Sequence, residues 1–306
     1  MRNAFADEVT TMAKEDPRVV LLSGDIGNRL FDKLRSQSPS QFFNCGVAEQ
    51  NMMGVAAGMG LSGLRPIVYT ITPFTTVRCL EQIKVDVAYH QSPVIIVGTG
   101  SGLSYASLGP THHSLEDFAI FRAIPNLQVL APWDAPSLRA CLRMALATGK
   151  PTYIRIGKKG ESDLCRGQSV SAIAEGFTLQ TGSQLCVLAV GTVAHEAEVA
   201  GTLLKNQGID AEVVLAHTVK PTPLGLFDTL LGRFDQFVVI EEHAQIGGFG
   251  EAFLSHVARL GLCKKVTCLG TGDSFMPFVG SHSFARAHFR IDSASIVSAA
   301  QALIQE

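Results

Sequence analysis

Charged side chains are scarce in this sequence. Lys, Arg, Asp and Glu make up 17% of the 306 residues, the formal net charge is -2, and no long basic run occurs. Binding to a nucleic-acid backbone requires clustered positive charge, so we expect no nucleic acid among the partners. The combination of 46% apolar residues with so little charge indicates that much surface is buried against other chains.

Paired cysteines and long apolar runs are missing too. The seven cysteines are odd in number and include no C-x-x-C pair, so we expect neither a disulfide framework nor a zinc site, and a reducing cytoplasm suits them. No stretch approaches the roughly 18 apolar residues of a membrane span. The N-terminal segment MRNAFADEVTTMAKED lacks the apolar core of a signal peptide. We therefore expect a cytoplasmic protein that does not enter a membrane.

The order of the apolar runs predicts the fold class. Short β-rich runs, apolar on both faces, alternate with helical patterns, which is typical of a parallel sheet covered by helices. Since 306 residues exceed one usual core, we predict an α/β protein with two doubly wound domains, residues 1–165 and 180–306. A polar linker lies within residues 157–182. The predicted strands are 19–23, 66–69, 93–97, 127–131, 152–156, 185–190, 211–216 and 236–240; the predicted helices are 48–61, 75–89 and 136–147, with others beginning near 193 and 250.

The most informative segment is residues 42–74, FFNCGVAEQNMMGVAAGMGLSGLRPIVYTITPF. A strand ends near Asn44, Gly46 turns the chain, and a helix rich in small residues has Glu49 in its first turn. A carboxylate is favoured there by the helix dipole alone, so this segment by itself does not distinguish a structural from a catalytic Glu49.

The sequence resembles a known family. The run GVAEQNMMGVAAGMGLSGLRPIV, followed by ITPF and GPTHHSLED, is similar to the second half of transketolase and of deoxyxylulose-phosphate synthase. The segment EEHAQIGGFGEAF, residues 241–253, resembles the C-terminal domain of the same families. The chain is thus identified as resembling the beta-type subunit of a split transketolase. The resemblance implies a thiamine diphosphate pyrimidine-binding domain followed by a transketolase C-terminal-type domain.

The resemblance implies roles for three cofactor-binding residues. Glu49 matches the glutamate that hydrogen-bonds the aminopyrimidine ring of thiamine diphosphate, where a positioned general acid/base activates the cofactor. Asp25 matches the aspartate on the thiazolium side, although an aspartate after a strand also forms ordinary turns. Phe74 matches the first aromatic that packs against the aminopyrimidine, whereas Val77 and Leu80 replace the next two.

A Gly- and Ser-rich loop, residues 98–113, carries the expected second catalytic residue. Its GTGSG opening is not a dinucleotide fingerprint, because the third glycine would fall on Leu103. His112 matches the family histidine that touches the donor near its carbonyl, a task that suits imidazole, although a structural His remains open. Leu108 replaces an aspartate that reads donor hydroxyls, and Gly100 replaces a phosphate-binding histidine, which puts a standard ketose phosphate in doubt.

Two arginines are the expected substrate-binding cations. Arg155 matches an arginine that clamps substrate phosphate, and its guanidinium suits bidentate recognition of phosphate or carboxylate. Arg29 stands where transketolases have a phosphate-binding serine. We therefore expect small anionic ketose and aldehyde substrates.

One family motif is absent. Family members bind Mg²⁺ and the cofactor's diphosphate through GDG and a downstream Asn, but Asp25 is followed by Ile26 and Asp273 by Ser274. We expect no metal ligands in this chain. The resemblance implies that a partner chain with the GDG and Asn motif supplies the Mg²⁺ site, in a two-plus-two heterotetramer.

Three functions remain open from the sequence. The first is a transketolase-like subunit that transfers a two-carbon ketol unit from a ketose-type donor to an aldehyde. The second is a deoxyxylulose-phosphate synthase-like or 2-oxo-acid dehydrogenase beta-type subunit, and the third is a non-catalytic binding subunit. A hydrolase is disfavoured because no G-x-S-x-G elbow occurs. Glu241, Glu242 and His243 are expected to form a solvated strand end.

Overall fold

The protein is built from two sheets and the helices that cover them. The computed structural model describes residues 1–27, 29–168, 170 and 173–305. The first half contains β1 (Val19–Ser23), β2 (Phe42–Asn44), β3 (Arg65–Ile71), β4 (Ile95–Thr99), β5 (Gln128–Leu130), β6 (Thr152–Ile156), α1 (Arg2–Glu15), α2 (Asp32–Gln37), α3 (Glu49–Leu61), α4 (Thr72–Thr75), α5 (Leu80–Gln82), α6 (Asp117–Ala123) and α7 (Ala135–Thr148). The second half contains β7 (Gly176–Gln180), β8 (Leu185–Val190), β9 (Ala211–Ala216), β10 (Thr218–Lys220), β11 (Gln236–Ala244), β12 (Lys265–Thr271), α8 (Ala194–Asn206), α9 (Leu224–Leu231), α10 (Phe249–Arg259), α11 (His282–His288) and α12 (Ser293–Gln305).

The first sheet confirms the predicted parallel arrangement. Its order is β10-β5-β6-β4-β3-β1-β2, and among the described strands only the β10–β5 pair is antiparallel. Every residue of β1, β4 and β6 is buried. In β1, Val20 and Leu22 enter one apolar cluster and Val19 and Leu21 another. The apolar runs without alternation are therefore strands buried on both faces.

The second sheet has the order β12-β11-β8-β9-β7, with β7 antiparallel to β9 and the other pairs parallel. Strand β7 begins at Gly176 and so belongs to this sheet before residue 180. The exact boundaries 1–165 and 180–306 stay predictions. Within the predicted linker, positions 169, 171 and 172 lie outside the described residues.

The two halves share backbone pairing and core. Strand β10 of the second half pairs with β5, and the Ala131 amide donates to the His217 carbonyl at 2.6 Å. One apolar cluster contains Phe118 and Phe121 from the first half together with Phe237 from the second. The second half therefore stabilises the first sheet directly.

The segment predicted as a helix over residues 75–89 is helical from Val77 to Tyr89 and is interrupted at Thr76. The segment consists of short helical pieces, which end in a π-helical stretch at Ile83–Tyr89. The Thr75 and Thr76 hydroxyls both donate to the Thr72 carbonyl, at 3.0 and 2.8 Å, and Thr76 leaves the helical conformation at φ -109° and ψ -91°. Side-chain bonds of this kind compete with a continuous helix.

The strand order also determines where a site can form. From β1 the chain moves to β2 on one side and to β3 on the other. Ligands of open α/β sheets bind at the carboxyl ends of the strands where the order reverses. No helix among the described residues has the length and apolarity needed to cross a bilayer.

Candidate active site

The carboxyl edge of the first sheet collects the residues predicted from the sequence. Asp25 follows β1, Glu49 begins the helix after β2, Phe74 lies just after β3, and His112 lies in the connection after β4. Because these strands are parallel, their carboxyl ends meet at one edge of the sheet.

Glu49 is the first residue of α3 and is only 7% exposed. Arg78 Nη1 donates a hydrogen bond to Glu49 Oε2 at 3.0 Å. The same guanidinium lies over the Phe74 ring, 4.3 Å from its centroid. Glu49 is thus a buried carboxylate paired with a cation that also covers the predicted aromatic.

His112 joins this group through Phe74. The two ring centroids are 5.4 Å apart in an edge-to-face arrangement. On its other side His112 meets Tyr105, with ring centroids 6.0 Å apart. Thr111 Oγ1 lies 3.0 Å from His112 Nδ1. The structure therefore connects Glu49, Arg78, Phe74, His112 and Tyr105, which we call the edge cluster.

Asp25 and Arg29 line a separate cavity of about 460 Å³. Both residues are exposed, and Asn44 Nδ2 donates to Asp25 Oδ1 at 3.1 Å. The Asp25 amide donates to the Gly46 carbonyl at 3.2 Å, which connects this cavity to the turn that precedes α3. The structure shows no contact of Arg29 with the edge cluster.

Arg155 is not placed for binding substrate. Its side chain is 5% exposed, its Nη2 donates to the carbonyls of Ser114 and Glu242 at 3.3 and 2.5 Å, and its Nη1 lies 3.4 Å from Asp117 Oδ1. The guanidinium also lies over the Phe118 ring, 4.4 Å from the centroid. Both terminal nitrogens of this buried guanidinium are thus engaged by groups of this chain, so we assign Arg155 no substrate role.

Sequence reasoning missed three members of this region. Arg78 belongs to no motif that we recognise. Only its position four residues after Phe74 could have suggested that the two side chains touch. Tyr105 was missed because it lies in a loop, where the sequence has no hydrophobic periodicity that could indicate its position. Lys158 was missed because it lies in the presumed linker, yet its Nζ is 4.5 Å from the Tyr105 ring centroid.

Tyr105 explains the glycine at position 100. Gly100 has a left-handed backbone, φ +72°, and a Cβ there would lie 1.8 Å from a carbon of the Tyr105 ring. The aromatic ring therefore occupies the space of any side chain at position 100.

The prediction of a solvated strand end at residues 241–243 is wrong. Glu241, Glu242 and His243 are each at most 2% exposed. Burial raises the pKa of Glu241 to about 7, although its carboxylate accepts from the Phe249 and Gly250 amides. Burial opposes ionisation of Glu242 too, but Arg286 and His282 outweigh it and hold the pKa of that carboxyl far below its usual range.

His243 is a neutral imidazole inside this network. Its Nε2 accepts from the Phe118 and Ala119 amides at 3.1 and 3.3 Å, so we assign the ring proton to Nδ1, which donates to the Ala244 carbonyl. Burial lowers its pKa to about 4. The polar residues of this segment therefore form a buried contact between the two halves of the chain.

The edge cluster fits the aminopyrimidine of the expected cofactor. That ring needs a carboxyl group for its ring nitrogen and an apolar surface for its face. Glu49 is a shielded carboxyl group, and Phe74 is a half-buried aromatic that meets the same Arg78 guanidinium. The described residues thus provide both groups at adjoining positions.

Comparisons with known proteins agree with this geometry. Residues 1–160 match the model for the transketolase pyrimidine binding domain, and residues 175–296 match the model for the transketolase C-terminal domain. An apulose-4-phosphate transketolase subunit of Phocaeicola vulgatus is 29% identical over 307 residues, which cover 100% of this chain and 97% of that protein. The 6-deoxy-6-sulfo-D-fructose transketolase subunit SqwH of a Clostridium species is 31% identical over 307 residues, which cover 98% of this chain and 93% of that protein.

A solved structure is similar over the whole chain. The split gene transketolase solved as an inactive beta4 tetramer superposes with a TM-score of 0.89 at 28% identity, and the match covers 99% of this chain and 97% of that one. Both domain models, both relatives and this structure agree. The chain therefore belongs to the thiamine diphosphate-dependent transketolase family, of which it carries the pyrimidine-binding and C-terminal domains.

Proposed function

We propose that this chain is the cofactor-activating subunit of a two-chain transketolase, which transfers a two-carbon ketol unit from a ketose-type donor to an aldehyde acceptor. The observation that carries the proposal is that Arg78 contacts both Glu49 and Phe74 while Phe74 contacts His112, at the carboxyl edge of the sheet. Three residues matched separately to the family thus lie together.

In this proposal each residue of the edge cluster has one task. When bound, thiamine diphosphate supplies the nucleophilic carbon and the electron sink for cleaving the bond beside the donor ketone. Glu49 presents Oε1 to the ring nitrogen, because Arg78 bonds Oε2. Phe74 packs against the ring and excludes water. His112, whose ring contacts Phe74, donates a proton to the substrate oxygen or accepts one from it.

The substrate of the proposed reaction is a small anion held in an unusual way. Two cations lie over aromatic rings of the edge cluster, Arg78 over Phe74 and Lys158 over Tyr105. Leu108 is 50% exposed and cannot accept a hydrogen bond from a donor hydroxyl. Relatives named for apulose 4-phosphate and for a sulfonated deoxyfructose support a non-standard donor. A substrate role for Arg29 stays a prediction.

Assembly with a partner chain is part of the proposal. The partner carries the GDG and Asn motif and binds Mg²⁺ and the cofactor's diphosphate, and two copies of each chain form the enzyme. Asp25 then contacts the thiazolium side of the cofactor. Apolar side chains exposed in this chain support the proposal, among them Val47 at 79% and Tyr89 at 77%. Such residues are typical of surfaces that other chains cover.

Reconstitution tests the proposal. The partner is sought in the neighbouring reading frame, as a chain of roughly 250 to 300 residues with GDG and a downstream Asn. The purified pair is assayed for ketol transfer with phosphorylated, sulfonated and neutral ketoses, and each chain is assayed alone. We expect turnover by the pair only. A pair that binds thiamine diphosphate but releases acetyl products from 2-oxo acids would indicate a dehydrogenase subunit instead, and a pair without any turnover would indicate a binding subunit.

A further inference from the structure

The connection that carries His112 is held by the second half of the chain. We call residues 100–116 the catalytic loop; it joins β4 to α6 and carries Tyr105 and His112. Its two arms are closed by an antiparallel bridge between Gly102 and Ser114, in which the Ser114 amide donates to the Gly102 carbonyl at 3.0 Å. The bridge joins the two sides of the loop, which we call the first arm (residues 100–103) and the second arm (residues 113–116). The position of the loop therefore depends on the residues that bind these two arms.

Glu242 of β11 binds the first arm. The Leu103 amide donates to Glu242 Oε1 at 2.7 Å, and both residues are buried. The contact is so close that a Cβ on Gly102 would lie 2.3 Å from the same oxygen, and Gly102 adopts a left-handed φ of +59°. Only glycine therefore fits beside this carboxylate.

Arg155 binds the second arm. Its Nη2 bonds the Ser114 carbonyl and the backbone carbonyl of Glu242, which ties the bridge to β11. Next along the loop, the Ala244 amide donates to the Leu115 carbonyl at 2.8 Å. The two sides of the loop are thus attached to two residues of one strand, Glu242 and Ala244.

Glu242 is itself fixed from behind. His282 Nε2 lies 2.9 Å from each of its carboxylate oxygens, and Arg286 Nε donates to Oε2 at 2.5 Å. Arg286 reaches on to Glu196 Oε1 at 3.1 Å. These partners all come from the second half, and they hold the carboxylate ionised and in one orientation.

From these contacts we infer that Glu242 is a positioning residue for the proposed reaction, which fixes the catalytic loop and thereby His112. The inference rests on the proposed function for its catalytic consequence. The second half of the chain then determines turnover although it supplies no reacting group. A small displacement of a catalytic group lowers turnover by about 10- to 100-fold, because the reacting atoms must approach closely.

The test uses the pair of chains with thiamine diphosphate and Mg²⁺, and compares Glu242→Gln with Glu212→Gln. Glu212 is a matched control, since it is equally buried and pairs with Arg233 within the second half. Three experiments are made on each variant: steady-state kinetics for kcat and KM, exchange of the cofactor C2 proton with deuterium, and backbone hydrogen exchange of residues 100–116.

For Glu242→Gln we expect a kcat lowered about 10- to 100-fold, faster hydrogen exchange in the catalytic loop, and C2 proton exchange within about twofold of wild type, because Glu49 lies on another element. Glu212→Gln should leave kcat and loop exchange unchanged. If the two variants lose kcat equally, or if C2 exchange falls together with kcat, the inference is wrong.

His282→Ala gives a second variant in case Glu242→Gln does not assemble. His282 is 33% exposed and is one of two partners of Glu242 on that side, so its loss is milder. We expect a fall in kcat of about threefold or more with faster loop exchange; unchanged values would overturn the inference. If the wild-type pair shows no ketol transfer, the proposed function fails, whereas loop exchange still decides whether Glu242 anchors the loop.

Discussion

Arg78 donates a hydrogen bond to Glu49 across 3.0 Å, although Glu49 is almost fully buried and Arg78 is 44% exposed. The arginine thus covers the carboxylate from the solvent side. The proposed catalytic carboxyl group is consequently paired before any ligand binds, and the cost of its burial is partly offset.

Replacing Arg78 by Met should reveal this pairing. The free energy of unfolding should fall by about 1 kcal/mol, because the buried carboxylate loses its cation while the exposed arginine limits the effect. In a Glu49→Gln background the same substitution should cost clearly less. Urea denaturation of the four proteins gives the coupling energy. Equal losses in both backgrounds would show that the pair contributes nothing.

The space of Gly100 is filled by Tyr105, which predicts a compensating pair of substitutions. Gly100→Ala should destabilise the protein by about 2 kcal/mol, because the left-handed φ and the ring both oppose a methyl group. Adding Tyr105→Ala removes the clash but not the backbone strain, so the double variant should lose less than the two single losses added together. Thermal unfolding measures all three variants, and strict additivity would contradict the geometry.

Lys158 is the basic residue that we expect to attract the anionic substrate. Lys158→Met should raise KM for phosphorylated or sulfonated substrates about tenfold and change kcat little, since a charge pair that is lost in both ground and transition state lowers affinity alone. Lys159→Met is the matched control, because Lys159 is exposed and adjacent. Equal KM values for both variants would exclude the role of Lys158.

Stability should depend on pH through His243. An ordinary histidine binds a proton below about pH 6.5, whereas burial lowers the pKa of His243 to about 4. The unfolded chain thus binds more protons between these values, so the stabilising contribution of His243 is complete above pH 6.5 and is lost as the pH falls towards 4. Glu241, whose pKa is raised to about 7, contributes with the opposite sign between pH 4.5 and 7.

His243→Asn isolates this contribution. The difference in unfolding free energy between wild type and variant should be largest above pH 7 and shrink by about 2 to 3 kcal/mol towards pH 4. Because Glu241 is present in both proteins, its opposite contribution largely cancels in that difference. Urea unfolding at several pH values measures it. A difference that stays constant with pH would mean that His243 has the same pKa in the folded and the unfolded protein.

Several elements could be predicted from the sequence because one physical signal dominates them. Strands β1, β6, β8 and β9 occupy the predicted residues, since continuous apolar runs bounded by polar turns admit little else. Helix α1 was missed because its charged residues concealed its buried face. Strand β10 has three residues and forms only through pairing with β5, which no local pattern reports.

The site could be predicted only in part. Glu49, Phe74 and His112 were found through family motifs, and the structure brings them together. The burial of Glu242 and His243 could not be predicted. A charged residue is expected to be exposed to solvent unless partners far away in the sequence are known. Arg155 was misassigned for the same reason, since Asp117 and the Glu242 carbonyl lie far from it in sequence.

The most direct test of the proposed function is Glu49→Gln in the reconstituted pair, with Glu81→Gln, an exposed glutamate in the segment next to Arg78, as control. Ketol transfer is measured together with exchange of the cofactor C2 proton. We predict that both rates fall by about 100-fold or more in Glu49→Gln, because a positioned acid/base group is lost, while Glu81→Gln matches wild type and all three proteins unfold at similar temperatures. Wild-type rates in a folded Glu49→Gln pair would contradict the account.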